Sequence, residues 1–197
     1  MGAKIRASRE FTWSTLPSAA IYTGQIVHVT DIGINGSEWK STGSAWRPVG
    51  EIILASSATA VNVAYPVVAK TVLGSKLLPA GLLNIPGATL TVEPLFTVNN
   101  SANSKQLKIE LGATAFYYIT GASMLTVSTI TAIHMRSATA QVAMPVAAAS
   151  GTGSSTSAVI VGTENLGNAL TVNISATLAN TVGESATLEA WTLRFKP

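Results

Sequence analysis

The sequence predicts an all-β protein: a small N-terminal β-meander module followed by an antiparallel, jelly-roll-like β-sandwich. Three observations lead there. Apolar residues alternate with period two along most of the chain. Charged residues are only 11% of the 197, against about 25% in ordinary soluble proteins, so long solvated helices carrying Glu and Lys have no material. Gly, Pro and Asn cut the apolar runs into short lengths, as in sandwiches and barrels.

Residues 1–50 read as an attachment module with a basic tail. Gln25–Thr30 (QIVHVT) is a short β run, Asn35-Gly36 signals a type I′ hairpin, and Ser37–Ser41 (SEWKS) is the returning strand. Thr42-Gly43 turns into Ser44–Arg47 (SAWR), which places Trp39 and Trp46 on one face, and Pro48 with Gly50 ends the unit. A meander this small is not stable without a partner surface. Trp13, Trp39 and Trp46 carry large rings that must be hidden, so they are read as packing anchors, within a subunit or between subunits.

Residues 51–197 form the sandwich. Its expected strands are Ile52–Ala55, Val63–Leu73, Ala88–Val98, Lys105–Leu111, Ala115–Thr120, Met124–Met135, Gln141–Ala147, Ser157–Val161, Leu170–Leu178 and Ala186–Phe195. In the last, Trp191, Leu193 and Phe195 alternate with Thr192, Arg194 and Lys196, a strand with one wet face, and Trp191 joins the packing or subunit-contact candidates. Pro66, Pro94 and Pro145 fall inside these runs and imply edges or bulges. Ser150–Ser157 (SGTGSSTS) reads as a loop tip, and no segment reads as a helix.

The chain is apolar (47%) and poor in charge, so part of its Ala, Val, Ile and Leu is expected between subunits. The net charge of +3 comes from scattered basic residues, clustered only at Lys4, Arg6 and Arg9; nucleic-acid binding needs a basic stripe, and none is expected. No signal peptide and no run long enough to span a membrane is present, which predicts synthesis in a cytoplasm without membrane insertion.

A search for chemistry predicts no catalytic, cofactor or metal site. Cysteine is absent, which removes thiolate nucleophiles and Cys ligands. His28 and Asp31 straddle a strand end without a nucleophile motif, and His134 sits among apolar neighbours, so all three read as structural. Glu184 and Glu189 are the nearest approach to a carboxylate pair and read as surface charges flanking a strand start. Phe116-Tyr117-Tyr118 is the one aromatic run of the body. Strict alternation turns Tyr117 away from the other two, which makes Tyr117 and Tyr118 candidate contacts for a glycan, with core or interface packing as the ordinary role.

Thr15-Leu16-Pro17, Tyr22-Thr23-Gly24, Val29-Thr30-Asp31-Ile32-Gly33 and the closing Trp39–Pro48 (WKSTGSAWRP) together resemble a short module found in structural proteins of tailed bacteriophages, especially fibre and appendage proteins. The resemblance covers residues 15–50; the body resembles small virion jelly-roll domains only in pattern and low charge. It implies a homotrimer on the virion surface whose N-terminal part contacts capsid or tail proteins. Head fibre, capsid decoration and tail fibre all fit, because the chain has no room for a long coiled coil or β-helix. A receptor-binding tip that recognises bacterial surface carbohydrate is the alternative.

Overall fold

The computed structural model describes residues 9–145 and 158–197. Lys4, Arg6 and the Ser150–Ser157 run lie outside these, as do the end of the Gln141–Ala147 run and Ser157. The N-terminal sheet holds β1 (Glu10–Phe11), β2 (Ile26–Val29), β3 (Ser37–Ser41) and β4 (Trp46–Pro48), in that spatial order. The meander β2-β3-β4 is antiparallel as expected, while β1 adds in parallel to β2, a two-residue pairing too short to leave a periodic signal. Two 3-10 turns, Trp13–Thr15 and Ala19–Tyr22, join β1 to β2. The type I′ hairpin at Asn35-Gly36 does not form. Such a turn needs positive φ at both central residues, and only Gly36 has it (φ 72°), so residues 30–36 make a longer loop instead.

The body begins with β5 (Ile52–Ser57) and β6 (Val61–Ala64), then β7 (Thr71–Leu78), β8 (Thr89–Val98), β9 (Lys105–Leu111) and β10 (Thr114–Gly121). It continues through β11 (Thr126–Ser128), β12 (Thr131–Ser137), β13 (Ala140–Ala143), β14 (Ile160–Gly162), β15 (Leu170–Thr177) and β16 (Ser185–Lys196). The expected run Val63–Leu73 is split: the chain leaves one sheet after Ala64 and enters the other at Thr71, with Pro66, which has no N–H for a ladder, in the crossing.

One sheet places β5 and β6 beside β16, then β8, then β11 and β12, with the β13–β14 hairpin extending it; the other runs β7-β15-β9-β10. Counting β5–β6 and β11–β12 each as one interrupted strand, and setting the added hairpin aside, the first strand pairs with the last. The second then pairs with the second-last, and so inward to the β9–β10 hairpin. This is a long hairpin rolled into two sheets, the jelly-roll arrangement.

The inner faces close over one apolar core. Leu107, Ile109, Leu111, Val172 and Ile174 from one sheet meet Leu90, Val92, Phe96, Leu193 and Phe195 from the other, all essentially inaccessible to solvent. Val27, Val29, Ile32 and Trp39 of the N-terminal sheet belong to the same buried cluster. Because successive strands traverse the sandwich in alternate directions, the connections at residues 79–88 and 112–113 share the end at which β5 starts and the module sits. Residues 65–70, 99–104, 122–125 and 178–184 gather at the opposite end.

Two side-chain expectations change as well. Glu184 is not a surface charge: it is 2% exposed and paired with Lys105, which is 1% exposed, because the β15–β16 connection folds over the residue 99–104 loop. Tyr117 does not point away from Phe116: a bulge between Ala115 and Tyr117 breaks the alternation, and both rings are buried.

Candidate functional site

The motif residues of the module fasten it to itself and to the sandwich. Asp31 Oδ1 accepts the Trp13 backbone N–H at 2.7 Å, fixing the first 3-10 turn, and the Trp13 indole N–H donates to Ala80 O at 2.9 Å in the β7–β8 connection. Ile32 is buried, and Gly33 (φ 90°) lies where any Cβ would stand 2.8 Å from Ile52 Cγ2, so β5 approaches the loop closely only because no side chain intervenes. Ile34 N–H donates to Ile53 O at 2.9 Å. Trp39, fully buried, donates its indole N–H to Ser37 Oγ at 2.8 Å and packs 4.9 Å from the Trp13 ring. The Trp46 indole N–H donates to Pro17 O at 2.8 Å, its ring lies 6.1 Å from Tyr22, and Arg9 stacks its guanidinium 5.4 Å over Tyr22.

Between these elements and the sandwich lies a cleft of about 330 Å³, lined by Trp13, Leu16, Trp46, Arg47, Asn84 and Ile85, with Ala45 and Gly81. Of the sequence candidates, Trp13 and Trp46 thus come together at one place, with Trp39 behind them. Trp191 is elsewhere, in β16, half-buried against Gly74 of the facing sheet. A wider trough of about 550 Å³ runs past His28, Ile34, Val49 and Ile53 on another side of the junction.

Tyr117 is 8% exposed, and burial raises its phenol pKa. Tyr118 is 47% exposed, with its hydroxyl accepting from Gln106 Nε2 at 3.1 Å and Lys108 Nζ 5.4 Å from its ring. The two tyrosines therefore do not form a shared outward platform. His134 reaches Thr89 across the outer face of the sheet (Nδ1···Oγ1 3.1 Å), and His28 stands opposite Glu38 in the β2–β3 ladder. Among the described residues, no group of three or more His, Asp or Glu is placed to hold a metal ion.

Sequence reasoning missed the cluster at the far end. Glu184 Oε1 accepts from Ser101 Oγ (2.7 Å) and Asn103 Nδ2 (2.8 Å), while Oε2 lies 2.9 Å from Lys105 Nζ, as an ion pair rather than an aligned hydrogen bond. Burial works to raise the Glu184 pKa, but the polar side chains of Ser101, Asn103, Lys105 and Asn99 outweigh it and lower it to about 2. Around this pair the Tyr65 N–H reaches Glu184 O and the Ser123 N–H reaches Ser101 O, so all four connections of that end are pinned to it. Glu164 does similar work at the other end, where its Oε1 accepts the Ala113 N–H (3.0 Å), the Thr114 N–H (3.0 Å) and the Thr114 hydroxyl (2.8 Å) across the β9–β10 turn.

No family model matches the chain, and no curated protein does either. Among solved structures the chain is similar to one from infectious bursal disease virus, Gx strain, at 11% identity and a TM-score of 0.28, with 82% of this chain aligned; the chain spans about half (45%) of that structure's length. A superposition that loose carries no argument about fold or function, and the reading of this chain rests on its own geometry.

Proposed function

We propose that the chain is a non-enzymatic structural protein of a tailed-bacteriophage virion: a homotrimeric spike, fibre or capsid decoration on the particle surface, held through its N-terminal module to capsid or tail protein. The observation that carries this reading is the apolar surface of the single chain. Ile21, Leu77, Leu125, Ile130 and Val182 are each more than 60% exposed, on a molecule with few charges to keep such surface apart. Burial against sister copies removes it from water. Four of the nine acids have structural roles: Asp31 holds Trp13, Glu164 a turn, Glu184 a loop cluster, and Glu110 pairs with Lys70. The resemblance of residues 15–50 to phage appendage modules supplies the assignment to a virion.

Mass photometry or sedimentation of the purified chain at micromolar concentration is expected to show a trimer. A stable, soluble monomer at that concentration would remove the oligomeric reading and, with it, the main support for a spike.

A further inference from the structure

We propose which surfaces meet between sister copies, an inference that rests on the oligomeric reading above: the β6–β7 flank of each copy lies against the β10–β11–β14 flank of the next, head to tail, around a closed ring. Among the described residues, the sandwich strands with a neighbour on one side only are β5, β6, β7, β10, β11 and β14. Soluble proteins guard such edges with charged side chains, Lys above all. Here the charges are elsewhere. The edge strands together carry a single one, Lys76, whereas β9 and β16, paired on both sides, carry Lys105, Lys108, Glu110, Glu189, Arg194 and Lys196. Every large apolar side chain exposed on a sandwich strand, Leu95 excepted, stands on one of those edges.

The edges fall on two opposite flanks. β6 packs beside β7 on one, and β10 beside β14 on the other, which β11 also borders. The first flank exposes Val61, Val72 and Leu77; the second exposes Tyr118, Val161 and, in the β11–β12 link, Ile130. β5 is set apart, because the module already meets it through the Ile34 N–H to Ile53 O bond. β7 and β10 are 8 residues each, so either flank is about 26 Å long; across two sheets about 10 Å apart it offers area on the order of the 800 Å² that each partner gives to a stable interface.

The two flanks also match in height. Tyr118, Lys108, Ser175 and Val72 are successive partners in one row across the β10-β9-β15-β7 sheet. A rotation about an axis along the strands therefore brings Tyr118 of one copy level with Val72 of the next. A bulge defends an edge against flat pairing, and each of these edges has one, at Leu73 in β7 and Phe116 in β10, so side chains rather than a continued ladder make the contact. A two-fold contact uses the same patch on both copies and leaves the other flank bare, whereas a head-to-tail contact covers both and closes as a ring. Stacking by sheet faces would bury charge instead: Arg194 with Glu51 and Glu93 on one outer face, Lys108 and the Lys70–Glu110 pair on the other.

Mass photometry on two full-length double variants, alone and mixed, tests this. The first, Val72→Glu with Leu77→Glu, spoils one flank; the second, Tyr118→Glu with Ile130→Glu, spoils the other. All four positions are at least 44% exposed, and far-UV circular dichroism checks that each variant is folded. Each variant alone is expected to be a monomer, and the mixture a one-to-one heterodimer that cannot close, because one sound flank remains on each partner. Leu77→Glu and Ile130→Glu singly, at the most exposed position of each flank, give the same readout should a double variant unfold. A trimeric wild type whose folded variants also stay trimeric, or monomeric variants that do not pair when mixed, would overturn this assignment alone. A monomeric wild type would overturn it together with the oligomeric reading.

Discussion

Glu184 shows how one residue fixes one end of the molecule. A carboxylate in apolar surroundings is costly unless its charge is matched, and here Lys105, Ser101 and Asn103 match it so well that its pKa falls to about 2, from an ordinary value of 4.5. A depressed folded-state pKa means that this group's contribution to stability is fully present above pH 4.5 and is lost as the pH falls toward 2. Removing one partner of such a pair costs about 3–5 kcal/mol at neutral pH. Urea unfolding of wild type and Glu184→Gln should therefore show a large stability gap at pH 6 that narrows steadily below pH 4.5. A gap independent of pH would mean that the carboxylate charge does not hold the loops. None of this is visible around residue 184 in the chain, where the neighbours are Gly183 and Ser185; the partners come from 79 or more residues away and only the fold brings them.

Among the elements, β8 and β7 show where local pattern succeeds and where it needs a neighbour. Pro94 lies mid-strand in β8, which is paired on both sides, yet the position is tolerated because the partner strand is the interrupted one. β11 ends opposite Leu95 and β12 starts opposite Val92, so the missing N–H of Pro94 faces the gap. The proline does mark an irregularity, displaced onto the facing strand. In β7, Gly74 lies under β16, and a Cβ there would stand 2.9 Å from Leu188 Cδ2 and 3.1 Å from Trp191 Nε1. Gly74→Ala is expected to force the sheets apart locally and cost about 1–3 kcal/mol, read as a lowered midpoint in chemical denaturation with the fold retained. An unchanged midpoint would show that Trp191 can yield.

For the whole molecule, the decisive fact is that module and sandwich share one buried cluster, with Trp39 and Leu193 in the same core. Two parts with a common core unfold together. Calorimetry should give a single transition, and Trp13→Ala, which frees the module from Ala80, should lower it without splitting it in two; separate transitions would show a module that folds by itself. From the sequence alone came most of the strands, though not β1 or the greater part of β7, and the aromatic character of the module, because period-two alternation and turn residues are local properties. Only the tertiary structure decided the nested pairing of first strand with last, the bulge that buries Tyr117, the ion pair at Glu184 and the cleft where Trp13 meets Trp46. Each of those depends on which distant segments become neighbours, and that choice is made by covering the two apolar faces together, a constraint on the whole chain that no single window of residues contains.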